Sequence, residues 1–184
     1  MGLLNRLFGS TESIAKETEA DEESIIKHWK HYLGTISRKK DIIDKLRLDN
    51  NFQSNLEELK KLLELELVDI SGEEKEESEL ISDLEAIEHS QKVRRVHKLE
   101  QCLKYAETKY EYVYGLLHQL WHILKSQMHL VVKLQTGSKD AERLISHLRS
   151  QLELELVILN KIEEIEIFHD LFLALVKGEH IIRV

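Results

Sequence analysis

His118 and His122 stand four residues apart in a stretch with helical apolar spacing. Two imidazoles one turn apart on one helical face can share a single metal ion. His129 lies further along the same stripe, and Glu111 sits two turns before His118. Near the end of the chain, Glu166 and His169 form a Glu-x-x-His pair. In a heptad reading, Glu155, Glu166 and His169 align with Leu159 and Ile162, so all three are expected to point inward. The chemistry expected of His118, His122, Glu166 and His169 together is coordination of a divalent metal ion, with oxidative or hydrolytic use. A second cluster is aromatic. Of Tyr105, Tyr110, Tyr112 and Tyr114, only Tyr110 falls on the apolar seam. Tyr105, Tyr112 and Tyr114 therefore either cover a second helix or form an aromatic binding surface.

Neither cluster completes a known pattern. Di-iron four-helix bundles use two Glu-x-x-His pairs and two further glutamates; this chain has the pair once, an incomplete ferritin-like set. With 10 histidines and 34 acids, one such pair is expected by chance, and the histidines are equally at home as surface residues. Glu73-Glu74-Lys75-Glu76-Glu77 resembles the first half of the magnesium-binding pattern of all-α nucleotide pyrophosphohydrolases. The Glu-x-x-Asp that should follow is missing, which rejects that chemistry. There is no phosphate loop, no Gly-x-Ser-x-Gly and no dinucleotide fingerprint. Cys102 adjoins the seam residue Leu103 and reads as a small buried hydrophobe.

The elements that must position these residues are long helices. Ile25, Trp29, Tyr32, Ile36, Ile43 and Leu46 recur at spacings of three and four, with one seam position skipped at Lys39. The first long helix should start near Asp21 and end before Asn50-Asn51. A shorter helix carrying Leu56, Leu59, Leu63, Leu67 and Ile70 is predicted to close at Ser71-Gly72. The acidic run Glu73–Glu79 then opens a segment with the apolar phase of Leu80, Leu84 and Ile87. A different phase runs from Val96 through Leu99, Leu103, Tyr110, Leu117 and Leu124 to Val131, skipping one position at Gln127. The change predicts a kink, stutter or break near Glu88 to Gln91. Thr136-Gly137-Ser138 is a helix–turn–helix signal, and the final helix should run from about Lys139 to Lys177, where Gly178 stops it. From Leu152 to Val176 its apolar residues occupy more than one stripe, which predicts cover on several sides.

Leu63-Glu-Leu-Glu-Leu-Val68 and Leu152-Glu-Leu-Glu-Leu-Val157 are identical and strictly alternating. Alternation is a strand pattern, but both copies sit inside longer helical patterns of strong helix formers, so helix is expected. The repeat, 89 residues apart, matches only loosely in its flanks and reads as coincidence in a chain rich in Leu and Glu.

Composition sets the remaining bounds. The chain has 184 residues, a net charge of −8, 33% charged residues and no proline, so no helix is interrupted by a missing N–H. The acidic balance argues against nucleic-acid binding, since the basic runs Arg38-Lys39-Lys40 and Lys92-Val93-Arg94-Arg95 lie in segments that also carry acids. One cysteine permits no internal disulfide, and the start lacks a secretory pattern. Residues 1–20 read as a short amphipathic segment, with Leu3, Leu4, Leu7 and Phe8 on one stripe, followed by a polar linker. Such a stripe can dock on a membrane surface or a partner, or fold back on its own bundle.

The expectation is therefore an all-α fold: an elongated antiparallel helical bundle over residues 21–184, built on a long helix hairpin turning at Gly137. The expected function is that of a non-enzymatic interaction or scaffold protein without a cofactor. It would be cytoplasmic, peripheral at the inner membrane face at most, and joined to a protein partner or to its own copies. The alternative is a metal-binding helical bundle with a divalent ion.

Overall fold

The computed structural model describes residues 31–46, 51–88 and 97–181, with side chains over 31–46, 51–79, 81–82 and 108–165. These residues form four helices and no strand. They are α1 (31–45), α2 (Phe52–Glu88), α3 (His97–Gln135) and α4 (Ala141–Ile181). At about 1.5 Å per residue, the 39 and 41 residues of α3 and α4 make rods of roughly 60 Å. The expected all-α antiparallel bundle on a long hairpin is the fold observed.

Side-chain pairs between helices fix their directions. Tyr32 meets Glu73 and Arg38 meets Glu58, so α1 and α2 run antiparallel. Glu57 meets Gln135 and Glu74 meets His118, so α2 and α3 do the same. Arg149 meets Asp44, and Glu155 meets Lys39, which sets α4 antiparallel to α1. The helices thus close a ring with up-down-up-down topology, α1 diagonal to α3 and α2 diagonal to α4. A continuous core fills the ring, from Tyr32, Ile36 and Ile43 on α1 to Leu148, Leu152 and Leu159 on α4.

The turn between α3 and α4 is built as the sequence predicts. Gly137 has φ +81°, the left-handed conformation that L side chains avoid. Its N–H donates to the Leu134 carbonyl, and the Ser138 hydroxyl accepts from the Asp140 N–H. The two other glycine stops fail. Ser71-Gly72 does not end a helix: α2 continues to Glu88 and takes the acidic run Glu73–Glu79 into its interior. Gly72 keeps a negative φ, and the Ser71 hydroxyl donates back to the Leu67 carbonyl. Contacts beyond the glycine, Glu73 with Tyr32 and Glu74 with His118, carry the helix past a penalty of about 1 kcal/mol. Gly178 likewise lies within α4, which ends at Ile181. The two apolar phases around Glu88 belong to two helices, α2 and α3. Residues 89–96 lie outside the described residues, as do the predicted helix start at Asp21 and residues Ile25, His28 and Trp29.

Both Leu-Glu-Leu-Glu-Leu-Val copies are helical, and their environments match. Leu63 and Leu152 are buried, Glu66 and Glu155 are buried, and Leu65, Val68, Leu154 and Val157 face outward. The correspondence extends well beyond the hexapeptide. Buried positions Phe52, Leu56, Leu59, Leu63, Glu66 and Ile70 of α2 match Ala141, Ile145, Leu148, Leu152, Glu155 and Leu159 of α4. On α1, Tyr32, Ile36, Lys39, Ile42, Ile43 and Leu46 match Leu120, Leu124, Gln127, Leu130, Val131 and Leu134 of α3. The hexapeptide repeat thus sits within a burial pattern that the two hairpins share, as helices facing one core at heptad spacing do.

Two glycines should respond oppositely to the same substitution. A Cβ meets nothing within 4 Å at either Gly72 or Gly137, so backbone terms decide. Gly72→Ala is expected to stabilise the bundle by about 0.5–1 kcal/mol. Gly137→Ala should cost about 1–2 kcal/mol because of its left-handed φ. Urea unfolding midpoints at constant m-value check both signs.

Candidate functional site

A polar layer interrupts the core. Its members are Lys39 of α1, Glu66 of α2, Gln127 of α3 and Glu155 of α4, the four buried polar or charged residues among those described. Lys39 Nζ donates to Glu66 Oε2 at 2.5 Å and to Glu155 Oε1. Gln127 Nε2 donates to Glu155 Oε2 at 2.6 Å. Every helix contributes one member. Lys39 and Gln127 occupy the two seam positions that the heptad reading skipped, and both are fully buried. The skip was a real core position filled by a polar side chain.

The electrostatics of the layer are unbalanced. One ammonium faces two carboxylates in an apolar shell. Desolvation pushes the Glu66 carboxyl up to about 7, with the Lys39 ammonium opposing and the Glu155 carboxylate adding to the rise. Glu66 Oε1 and Gln127 Oε1 are buried with no hydrogen-bond partner. Two turns from Lys39 along α1, the Tyr32 hydroxyl donates to Glu73 Oε1 at 2.9 Å. Burial first, and the Glu73 carboxylate second, hold that phenol protonated far above its ordinary range.

The histidine pair forms a separate cluster at the surface. His118 Nδ1 lies 2.8 Å from Glu74 Oε1 of α2, and His122 Nε2 lies 3.2 Å from His118 Nε2. With Glu74 accepting from the Nδ1–H, the lone pair of a neutral His118 ring sits on Nε2. Tyr114 stacks on His118 at 6.5 Å, and Trp121 stands edge-on to His122 at 5.1 Å.

The predicted site residues thus divide. His118 and His122 come together as expected, with Glu74 as a partner the sequence did not single out. Glu166 and His169 lie on α4, but their side chains fall outside the described residues, as do those of Tyr105 and Cys102. Among the described residues, no group of three or more His, Cys, Asp or Glu side chains could hold a metal ion. Glu155 points inward as predicted, but its partners are Lys39 and Gln127. Tyr112 is exposed, whereas Tyr114 is half-buried against His118, so the aromatic residues do not act as one surface. His129 and Glu111 are exposed, and His31 stands edge-on to Tyr32. Leu3, Leu4, Leu7 and Phe8 lie outside the described residues, and no described helix is long and apolar enough to cross a membrane.

Removing one member of the layer should hurt more than removing all four. Lys39→Met leaves two buried carboxylates facing each other and is expected to cost about 3–5 kcal/mol. Replacing Lys39, Glu66, Gln127 and Glu155 together by leucine should come within about 1 kcal/mol of the parent or exceed it. Urea denaturation of the two variants checks the contrast.

Comparison of the chain with protein-family models, with curated proteins and with solved structures finds no match.

Proposed function

We propose that this chain is a non-enzymatic helical interaction protein that self-associates through the outer face of α4. The observation that carries the reading is the outward exposure of Leu154 and Val157, 50% and 51% exposed in mid-helix. The multiple apolar stripes of this segment predicted cover on several sides. The core takes Ile158, Leu159 and Ile162, while Leu154 and Val157 stay open, which supports an intermolecular cover.

Charge favours α4 over the matching face of α2. An isologous contact pairs each residue with its mirror about the twofold axis. Antiparallel pairing of two α4 helices about Leu154–Val157 sets Glu164 opposite His147 and Lys161 opposite Ser150, with no like-charged pair on that face. The same pairing about Leu65–Val68 of α2 sets Glu58 opposite Lys75 and Lys61 opposite Gly72, but flanks them with Glu64 against Asp69 and Glu57 against Glu76. Like charges placed opposite one another oppose association. Sedimentation equilibrium tests the reading. The parent should be dimeric at micromolar concentration, Leu154→Glu with Val157→Glu should be monomeric, and Leu65→Glu with Val68→Glu should stay dimeric. A parent that is monomeric at all concentrations overturns it.

The convergence of His118 Nε2 and His122 Nε2 favours a second reading, binding of one divalent ion of the zinc or copper type. Two imidazole nitrogens about 2.1 Å from one zinc ion lie roughly 3.4 Å apart at the tetrahedral angle. The observed 3.2 Å is close to that bite. Glu74 on the far nitrogen of His118 is the carboxylate that commonly orients a metal-binding imidazole. Dialysis of untagged protein against zinc should show one ion bound, lost in His122→Ala and weakened about 10-fold or more in Glu74→Gln. Equal binding by His122→Ala would discard this reading.

A further inference from the structure

We propose that the buried Lys39–Glu66–Gln127–Glu155 layer is a one-proton switch: Glu66 holds a proton on Oε1, donates it to Gln127 Oε1, and on losing it loosens the bundle. The case begins with charge. The ammonium of Lys39 is shared by both carboxylates, so two ionised glutamates leave a net negative charge in an apolar shell. It continues with hydrogen bonding. Glu66 Oε1 and Gln127 Oε1 are both acceptors, both buried and both without partners. The Gln127 amide is oriented by donation from Nε2 to Glu155, which leaves Oε1 as its free end. A proton on Glu66 Oε1 removes the surplus charge and turns one orphaned acceptor into the donor that the other, Gln127 Oε1 of the same layer, lacks. The proton belongs on Glu66 because both Glu155 oxygens already accept, from Lys39 and from Gln127.

The charged groups acting on Glu66 are Lys39 from α1 and Glu155 from α4, together with Asp69 one turn along its own helix, and Gln127 from α3 joins the same layer through Glu155. Burial and the two acids raise its proton affinity, and Lys39 opposes them. The sign of the linkage follows. A carboxyl whose folded pKa lies above its unfolded value stabilises the fold fully below the unfolded value, 4.5. That contribution is lost as pH rises through about 7. This is opposite to the usual behaviour of a salt-bridged carboxylate, which stabilises as pH rises. The step is simple proton release: the Glu66 O–H bond breaks, the proton goes to solvent, and the electron pair stays on Oε1.

Two measurements test it. In urea titrations between pH 5 and pH 8, the unfolding midpoint of the parent should fall with rising pH. Glu66→Gln, whose amide can still accept from Lys39 and donate to Gln127, should lose most of that dependence, while Glu142→Gln, exposed on α4 and outside the layer, should keep it. In the folded parent, the ¹³C carboxyl resonance of Glu66 should titrate near neutrality, as a single step. If Glu66→Gln fails to fold, the resonance alone decides. A Glu66 signal that titrates in the ordinary glutamate range, or a Glu66→Gln variant with the parent's pH dependence, overturns the proposal.

Discussion

A lysine ammonium with no water around it must be met by anions at its own height in the bundle, and this requirement organises the structure. Lys39 reaches Glu66 and Glu155 from two different helices, and Gln127 of the fourth helix completes the contact. Apolar seams alone tolerate sliding by a turn, because leucine packs against leucine at several registers. The layer does not, since a shift of one turn strands a charge among leucines at a cost of several kcal/mol. Its contribution lies in fixing register more than in net stability, the role best attested for buried polar groups in helical bundles. The fixed register in turn brings Glu74 level with His118 and Glu57 level with Gln135.

Much of this architecture was legible in the chain. Spacings of three and four gave the helices, and Gly137 between two long apolar patterns gave the hairpin. Glycine is an ambiguous stop, however. Gly137 ends a helix because polar turn residues surround it and both flanking patterns reverse there. At Gly72 the apolar phase of Leu63 and Ile70 is buried on one side, and α2 packs on α3 beyond it, so helix continues through. The layer was half-visible. A lone polar residue at a seam position looks like a gap in the apolar pattern, although its spacing places it in the core. That Glu155 points inward was readable from its line with Leu159 and Ile162. Its partnership with Lys39, 116 residues away, was not, because no local pattern encodes which helices meet. The same holds for Glu74 and His118, 44 residues apart.

The repeated burial pattern explains why the layer has this composition. In a ring of two equivalent hairpins, α1 corresponds to α3 and α2 to α4, so each core layer contains two diagonal pairs. Glu66 and Glu155 form one such pair, from the two copies of the hexapeptide. Lys39 and Gln127 form the other. Two lysines at those positions would have balanced two glutamates and left each carboxylate with its own ammonium. Glutamine at 127 keeps the donor, through Nε2 to Glu155, and removes the charge. The imbalance then falls on the glutamate that Gln127 does not serve, Glu66, whose Oε1 is orphaned.

The same symmetry bears on the outside of the molecule. Whatever places Glu66 and Glu155 at the centre turns Leu65, Val68, Leu154 and Val157 outward, because residues one before and two after a core position lie on the far side of the helix. The motif therefore exposes apolar surface as a consequence of positioning its acid. Two equivalent stripes on diagonal helices present the same shape, so shape cannot distinguish an interface on α2 from one on α4. Charge can. The α2 stripe carries Glu58, Lys61 and Lys75 but is flanked by Glu57, Glu64, Asp69 and Glu76, so acids outnumber bases around it. The α4 stripe is bordered by His147, Lys161 and Glu164 in mixed sign. In copies of a chain with net charge −8, approach through the mixed face meets less repulsion.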